Sequence, residues 1–145
     1  MTRLHLDQFL PYRLSVAANA VSTRISHSYR RRFGLKIPEW RLVAILAEHI
    51  KMTPQEIGKK GELDKITVSR AAAALIARGL VAQDRNPKDG RSHFLSLTAE
   101  GRALYDEIAP AALQLEAELL ADFSAQDRDM LAQLLRRITL SANSP

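Results

Sequence analysis

The spacing of apolar residues changes along the chain from a helical period to a strand-like one and back. In residues 10–32 apolar side chains recur every three or four positions, which predicts a long amphipathic helix. The same period predicts shorter helices at residues 38–49, 53–58 and 65–78, and it returns at 98–120 and 124–140. Residues 80–83 and 92–97 instead form two short strand patterns. The order predicts a mostly α (α+β) fold.

Capping residues place several of these boundaries. The segment TPQE at residues 53–56 has the form of a capping box with proline at the first helical position. Asp64 is a good N-cap for the next helix, and Gly79 and Gly34 are suited to left-handed C-terminal caps. Two signals concern the later helices: Thr98 is predicted to cap the helix at 98–120, and Pro110 to kink it or end its first section.

The helix at residues 65–78 has two different faces at 100° per residue. An apolar stripe predicts the buried side: Val68, Ala72, Leu75, Ile76 and Gly79. The opposite side carries small or polar residues and one arginine: Ile66, Thr67, Ser69, Arg70, Ala73 and Ala77. Such a smooth face suits insertion into a major groove about 12 Å wide. Packing against another helix accounts for it equally well.

The two predicted strands enclose a polar segment that favours the first interpretation. Residues 84–91 are rich in turn formers and contain Arg85, Lys88 and Arg91. A helix, a turn, a second helix and a hairpin with a basic tip together predict a winged helix-turn-helix.

In the helix at residues 38–49, the same period predicts a buried stripe of Trp40, Val43, Leu46 and Ala47, with Leu42, Ile45 and Ile50 beside it. His93 occupies an inward strand position and is predicted to pack in the core. The four histidines lack paired ligand spacing, and we find no phosphate loop or catalytic motif. We therefore expect no enzyme activity, no metal site and no cofactor.

Composition and charge narrow the class further. The chain has 145 residues and 46% apolar residues, enough for one domain with a real core, and it has no cysteine. Its apolar runs are too short to cross a bilayer and we see no signal peptide, so we expect a cytoplasmic protein. The net charge is +6 in residues 1–52, +3 in 53–94 and −4 in 95–145. This distribution fits a nucleic-acid-binding front half.

The chain resembles the MarR family of transcriptional regulators. The resemblance rests on LDKITVSR at residues 63–70, GLV at 79–81, DGR at 89–91 and LSLTAEG at 95–101, and extends upstream through IPEWR at 37–41. It implies a homodimeric DNA-binding regulator, usually a repressor released by a small ligand or by oxidation; the lack of cysteine excludes thiol oxidation. It also implies one domain over residues 1–145, with the winged part at 35–98 and dimerisation helices at 6–32 and 99–140.

The resemblance and the basic segments together predict the residues that contact a pseudo-palindromic operator in double-stranded DNA. They are Thr53, Gln55, Lys65, Ile66, Thr67, Ser69, Arg70, Arg85, Lys88, Asp89 and Arg91. Thr67, Ser69 and Arg70 are expected in the major groove, and the N-terminus of the helix at 53–58 is expected to offer amides to phosphate. Arg91 is expected in the minor groove, oriented by a salt bridge from Asp89.

The resemblance also implies an apolar effector pocket between the dimerisation helices and the winged part. Residues that could meet there, and that suit an aromatic carboxylate or phenol, are Tyr12, Arg13, His27, Arg31 and Trp40. Two other functions remain open. One is an architectural protein that binds DNA without sequence preference, and the other is a module that binds a partner helix through its alanine-rich face.

Overall fold

A computed structural model describes residues 2–88 and 90–145 of the chain. Within these residues it contains six α-helices and two β-strands, preceded by a short 3-10 turn at Leu6–Gln8. The helices are α1 (Leu10–Phe33), α2 (Ile37–Ala47), α3 (Pro54–Gly61), α4 (Lys65–Ala77), α5 (Ala99–Leu119) and α6 (Ala125–Asn143). The strands are β1 (Val81–Arg85) and β2 (His93–Leu97). The predicted mostly helical class is confirmed, and most boundaries lie within three residues of the expected ones.

The first helix, α1, ends where the sequence indicates. Gly34 has a φ of 65°, a left-handed conformation that costs glycine little, and its N–H donates to the carbonyl of Arg30. Residues 10–20 of α1 are all exposed, whereas Tyr29 near its end is buried. The N-terminal half of the helix therefore has an apolar stripe that its own chain leaves uncovered.

The core lies among α2, α3, α4 and the hairpin. Helix α2 contacts both α3 and α4, and α4 contacts β1. Side chains with no exposed surface fill the space between them: Leu35, Leu42, Val43, Leu46, Ile57 and Leu75. This packing holds α3 and α4 as a helix-turn-helix.

The antiparallel hairpin pairs Val81 with Leu97 at its base and Arg85 with His93 near its tip. The loop after α2 joins it, because Met52 and Leu95 exchange two backbone hydrogen bonds of 3.0 and 2.7 Å. Both strands of the hairpin are therefore attached to the rest of the chain: β1 contacts α4, and β2 is bonded to the loop after α2.

The end of α4 is also tied to the end of α1. The guanidinium of Arg78 donates to the carbonyls of Gly34 and Phe33, both at 3.2 Å. These bonds satisfy carbonyls that a helix C-terminus leaves without intrahelical partners.

The sequence predicted the burial of His93 and Ile50 wrongly. His93 is exposed, because it pairs with Arg85 beyond the point where Leu95 enters the core. Ile50 is 92% exposed, because α2 ends at Ala47 and the chain turns away from the helical stripe. Of the two alternatives for Pro110, the end of a first helical section is wrong, because Pro110 lies inside the continuous helix α5; a kink there stays a prediction.

The chain divides into two compact units, at residues 1–108 and 109–145. In the second unit, Ser124 caps α6 through a capping box with Asp127, as predicted. Every residue of α6 is exposed, including its apolar face of Leu131, Leu134, Leu135 and Ile138. Among the described residues, no helix is long and apolar enough to cross a membrane.

Candidate nucleic-acid interface

Helix α4 begins at the predicted N-cap, so its first turn is well defined. Asp64 accepts a hydrogen bond of 2.7 Å from the Thr67 amide. This bond is the main reason that the pKa of the Asp64 carboxyl lies below its usual value, and the positive charge of Arg70 acts in the same direction. The carboxylate fixes where α4 starts and hence which residues point outward.

The outer face of α4 is as the sequence predicts, with Thr67 as the exception. Ile66, Ser69, Arg70, Ala73 and Ala77 are exposed. The buried side is formed by Val68, Ala71, Ala72 and Leu75. Thr67 is half-buried, while Gly79, predicted on the buried side, is exposed. The exposed face is thus a narrow strip with one cation.

Helix α3 begins with the predicted capping box. The Thr53 hydroxyl accepts from the Glu56 amide at 3.2 Å, and the Glu56 carboxylate accepts from the Thr53 amide at 3.2 Å. Pro54 has no amide hydrogen. The Gln55 amide is therefore the one first-turn amide that the capping box leaves available. The sequence predicted that several amides would be available to a phosphate.

Two of the predicted contact residues meet between α3 and α4. A recess of about 230 Å³ separates the helices, and it is lined by Pro54, Gln55, Gly58, Lys59, Leu63, Lys65 and Val68. Gln55, Lys59 and Lys65 are all exposed. They give the mouth of the recess polar and positively charged side chains.

The hairpin tip is held by its own hydrogen bonds. The Asn86 amide donates to the Ser92 carbonyl at 3.1 Å, and the Asn86 side-chain oxygen accepts from the Lys88 amide at 3.0 Å. Arg85, Lys88 and Arg91 are exposed. Asp89 lies outside the described residues, so its predicted salt bridge to Arg91 stays a prediction. The described residues of the tip therefore present exposed basic side chains.

Comparison with known proteins agrees with this arrangement. A sequence model of the MarR family matches residues 33–92. Over 132 residues the chain is 29% identical to the uncharacterized HTH-type transcriptional regulator YwoH of Bacillus subtilis, spanning 91% of this chain and 95% of that protein. Together these matches support a regulator of the MarR family. The fold and the matches are those of a winged helix-turn-helix regulator of transcription, in which α4 is the second helix of the helix-turn-helix.

Two further proteins are similar to this chain. The homoprotocatechuate degradative operon repressor of Escherichia coli is 27% identical, covering 79% of this chain and 77% of that one. Sco3205, a MarR-family regulator of Streptomyces coelicolor solved in complex with DNA, has the same fold. Its TM-score is 0.88 at 22% identity, over 99% of this chain and 92% of that one.

The five predicted effector residues are not all brought together within one copy of the chain. Tyr12 and His27 lie on the same helix, 15 positions apart, which separates them by about 22 Å. His27 and Arg31 do meet, in an open recess of about 440 Å³ that Ser28 and Arg32 also line. Tyr12 and Arg13 lie on the exposed N-terminal half of α1.

Trp40 lies in an aromatic cluster that the sequence did not predict. Its ring centroid is 5.2 Å from that of Tyr29 and 6.3 Å from that of Tyr105, with the Tyr105 ring nearly parallel. Burial raises the pKa of the Tyr29 hydroxyl. The guanidinium of Arg102 lies 5.9 Å from the Tyr105 ring centre. In sequence, the only sign of this cluster is that Tyr29 ends the apolar stripe of α1.

Proposed function

We propose that the chain is a homodimeric repressor that binds a pseudo-palindromic operator and is released by a small aromatic carboxylate or phenol. The observation that carries the DNA-binding part is the exposed strip on α4 beside a hairpin with basic side chains. A solvated helix commonly exposes lysine and glutamate, whereas this strip exposes Ile66, Ser69, Arg70 and two alanines. A strip of this kind fits closely into a major groove.

Each element of the winged unit has a separate role at the operator. Arg70 contacts a base edge or a phosphate, and Ser69 with the half-buried Thr67 lies beside it. The Gln55 amide, at the positive end of α3, donates to a phosphate oxygen, and Lys65 and Thr53 lie close to the same DNA backbone. Positive charge at these sites makes the binding salt-dependent.

The hairpin provides the second set of contacts. Arg91 enters the minor groove, where narrow A·T tracts attract arginine, with Asp89 holding its side chain. Arg85 and Lys88 neutralise phosphates on either side.

The proposed second copy covers apolar surface that a single chain leaves in water. Seven large apolar residues are exposed at the N-terminus: Leu4, Leu6, Phe9, Leu10, Tyr12, Leu14 and Val16. Six more are exposed on α6: Met130, Leu131, Leu134, Leu135, Ile138 and Leu140. Helices in proteins owe most of their stability to packing of such a face. A two-fold dimer supplies that packing, and it spaces two recognition helices by about 34 Å.

The proposed effector site lies near His27, Arg31 and Trp40. An aromatic carboxylate suits the cationic recess at His27 and Arg31, and Tyr12 and Arg13 would reach it from the second copy. The relative whose name refers to homoprotocatechuate, an aromatic compound, supports this ligand class. Bound ligand would change the distance between the two winged units, so that only one half-site fits and DNA affinity falls. The protein would act in the cytoplasm, as the sequence predicts.

The decisive test is binding of the full chain to a labelled duplex from its own upstream region, beside a scrambled duplex, at one near-physiological salt concentration. We expect a preference of about 100-fold or more, within the range of specific regulators. Equal affinity for both duplexes would instead indicate the architectural function. Absence of binding to either duplex would refute the DNA-binding proposal.

The effector part has its own readout. Trp40 is the only tryptophan and its ring lies beside two tyrosines, so a nearby ligand should change its fluorescence. Benzoates and phenols should change this signal and lower operator affinity, and Arg31→Ala should weaken both responses while leaving operator binding without ligand intact. Unchanged operator affinity at millimolar concentrations of all these compounds would contradict this ligand class.

A further inference from the structure

Ile66 is a large aliphatic side chain exposed on the outer face of α4. It lies in the first turn of α4 and is 65% exposed. At 100° per residue it points about 160° away from the buried Val68. An isoleucine contributes nothing to the core from this position, and its branched side chain lowers helix propensity slightly relative to alanine.

The residues next to Ile66 on the outer face of α4 limit what Ile66 can contact. Arg70 follows one turn later, and the next outward residues are Ala73 and Ala77. An aliphatic group and a guanidinium therefore occupy the first two turns, followed by methyl groups only. Recognition helices commonly contact bases with their N-terminal residues, and in α4 these turns carry Ile66 and Arg70.

The chemistry of the major groove matches this pair. The thymine C5-methyl group is the apolar feature that base pairs present there, and guanine O6 and N7 together accept an arginine. One helical turn advances about 5.4 Å and one base pair about 3.4 Å. Adjacent contacts by the two side chains therefore fall one or two base pairs apart.

We infer that Ile66 contacts the C5-methyl group of a thymine in each operator half-site and determines specificity for that base. The thymine lies one or two base pairs from a guanine bound by Arg70. This inference rests on the proposed sequence-specific DNA binding and names the bases that this binding selects. The contact of Ile66 therefore contributes to base specificity, because it distinguishes thymine from the other three bases.

The test removes the methyl group from the DNA and the aliphatic group from the protein, separately and together. Duplexes that bind the wild-type chain are first selected from a randomised pool. Each thymine of the selected half-site is then replaced by uracil, which lacks only the C5-methyl group. Dissociation constants are measured at one salt concentration for wild type, Ile66→Ala and Ile50→Ala. Ile50 is the matched control, since it is 92% exposed and lies in the loop between α2 and α3.

At one thymine position, we expect uracil to weaken wild-type binding by about three- to five-fold per half-site, as loss of one methyl contact predicts. Ile66→Ala should bind the thymine and uracil duplexes equally, whereas Ile50→Ala should discriminate as wild type does. The guanine bound by Arg70 is the one whose replacement weakens binding of the wild type but not of Arg70→Ala. The thymine that is sensitive to demethylation should lie one or two base pairs from it.

Several results would overturn the inference. It fails if no thymine is sensitive to demethylation, or if Ile66→Ala keeps the full discrimination. Matched melting temperatures of the two alanine variants exclude misfolding, and Ile66→Val, which should retain partial discrimination, provides a second folded variant. If the wild-type chain selects no sequence from the pool, the proposed specific DNA binding itself fails, and the assignment of Ile66 fails with it.

Discussion

Gly101 provides the sharpest test of how the hairpin is joined to α5. It is buried in the first turn of that helix, where its N–H donates to the Thr98 hydroxyl at 3.0 Å. A Cβ added there would overlap the Leu80 carbonyl oxygen, lie 3.0 Å from the carbonyl carbon, and lie 3.2 Å from Leu97 Cδ2. That Leu80 carbonyl also accepts the Thr98 amide at 3.1 Å. The glycine of the LTAEG segment is therefore needed for close backbone approach.

Replacement of Gly101 by alanine should destabilise the protein, although helix propensity alone predicts the opposite. In a free helix the change would gain up to about 1 kcal/mol. Here the methyl group meets backbone, which cannot rotate aside as a side chain can, so we expect an overpacking cost of about 1–3 kcal/mol. Weakening of the Thr98–Leu80 hydrogen bond adds about 1 kcal/mol. The expected net loss of unfolding free energy is about 1–3 kcal/mol.

Urea unfolding followed by circular dichroism measures this loss, at one protein concentration because a dimer's stability depends on concentration. Gly61→Ala is the control: its Cβ would lie 2.9 Å from Ile45 Cδ1, the movable end of a side chain. We expect that change to alter the unfolding free energy by less than about 1 kcal/mol. A Gly101→Ala protein as stable as wild type would refute the close-approach argument.

Three further predictions concern the interface, the α4 cap and the dimer. Arg91→Ala should weaken operator binding on the order of 10-fold or more and lower the salt slope by about one, as a titration at several salt concentrations would show; unchanged affinity would count against the role of the hairpin tip. Asp64→Ala should lower the melting temperature at pH 7, whereas Asp64→Asn should largely preserve it. Because folding lowers the pKa of Asp64, its stabilisation is complete above the ordinary value of 3.8 and is lost as the pH falls through the lower folded pKa. The Asp64→Ala deficit should therefore shrink in melts near pH 3, and a constant deficit would refute this linkage. Leu134→Glu should convert the proposed dimer to monomers in sedimentation and reduce operator affinity; an intact dimer would contradict the proposed use of α6.

Much of the fold could be predicted from the sequence because its signals act over a few residues. Helical periodicity, the capping box at Thr53 and the N-cap at Asp64 involve neighbours within one turn, and the structure confirms each of them. The outward strip of α4 follows from the same rule, since burying Val68 and Leu75 directs Ile66 and Arg70 to the opposite side. The helix-turn-helix and the outward strip of α4 could therefore be predicted from these local patterns.

Other features depend on segments that are distant in sequence and meet only in the tertiary structure. His93 has the strand position of a core residue, yet it is exposed because the core ends at Leu95. Trp40 was predicted in a core stripe, but its aromatic neighbours come from helices on either side of it in the chain.

The sequence by itself determined the order of the helices and strands, their caps, the winged helix-turn-helix and the residues on the outer face of α4. The tertiary structure alone decided that Gly101 must approach the Leu80 backbone. It also decided that Tyr12 and His27 lie far apart within one copy of the chain. The physical reason is the range of the interactions. Periodicity and capping involve residues within about one helical turn, whereas burial depends on which distant segment packs against each side chain.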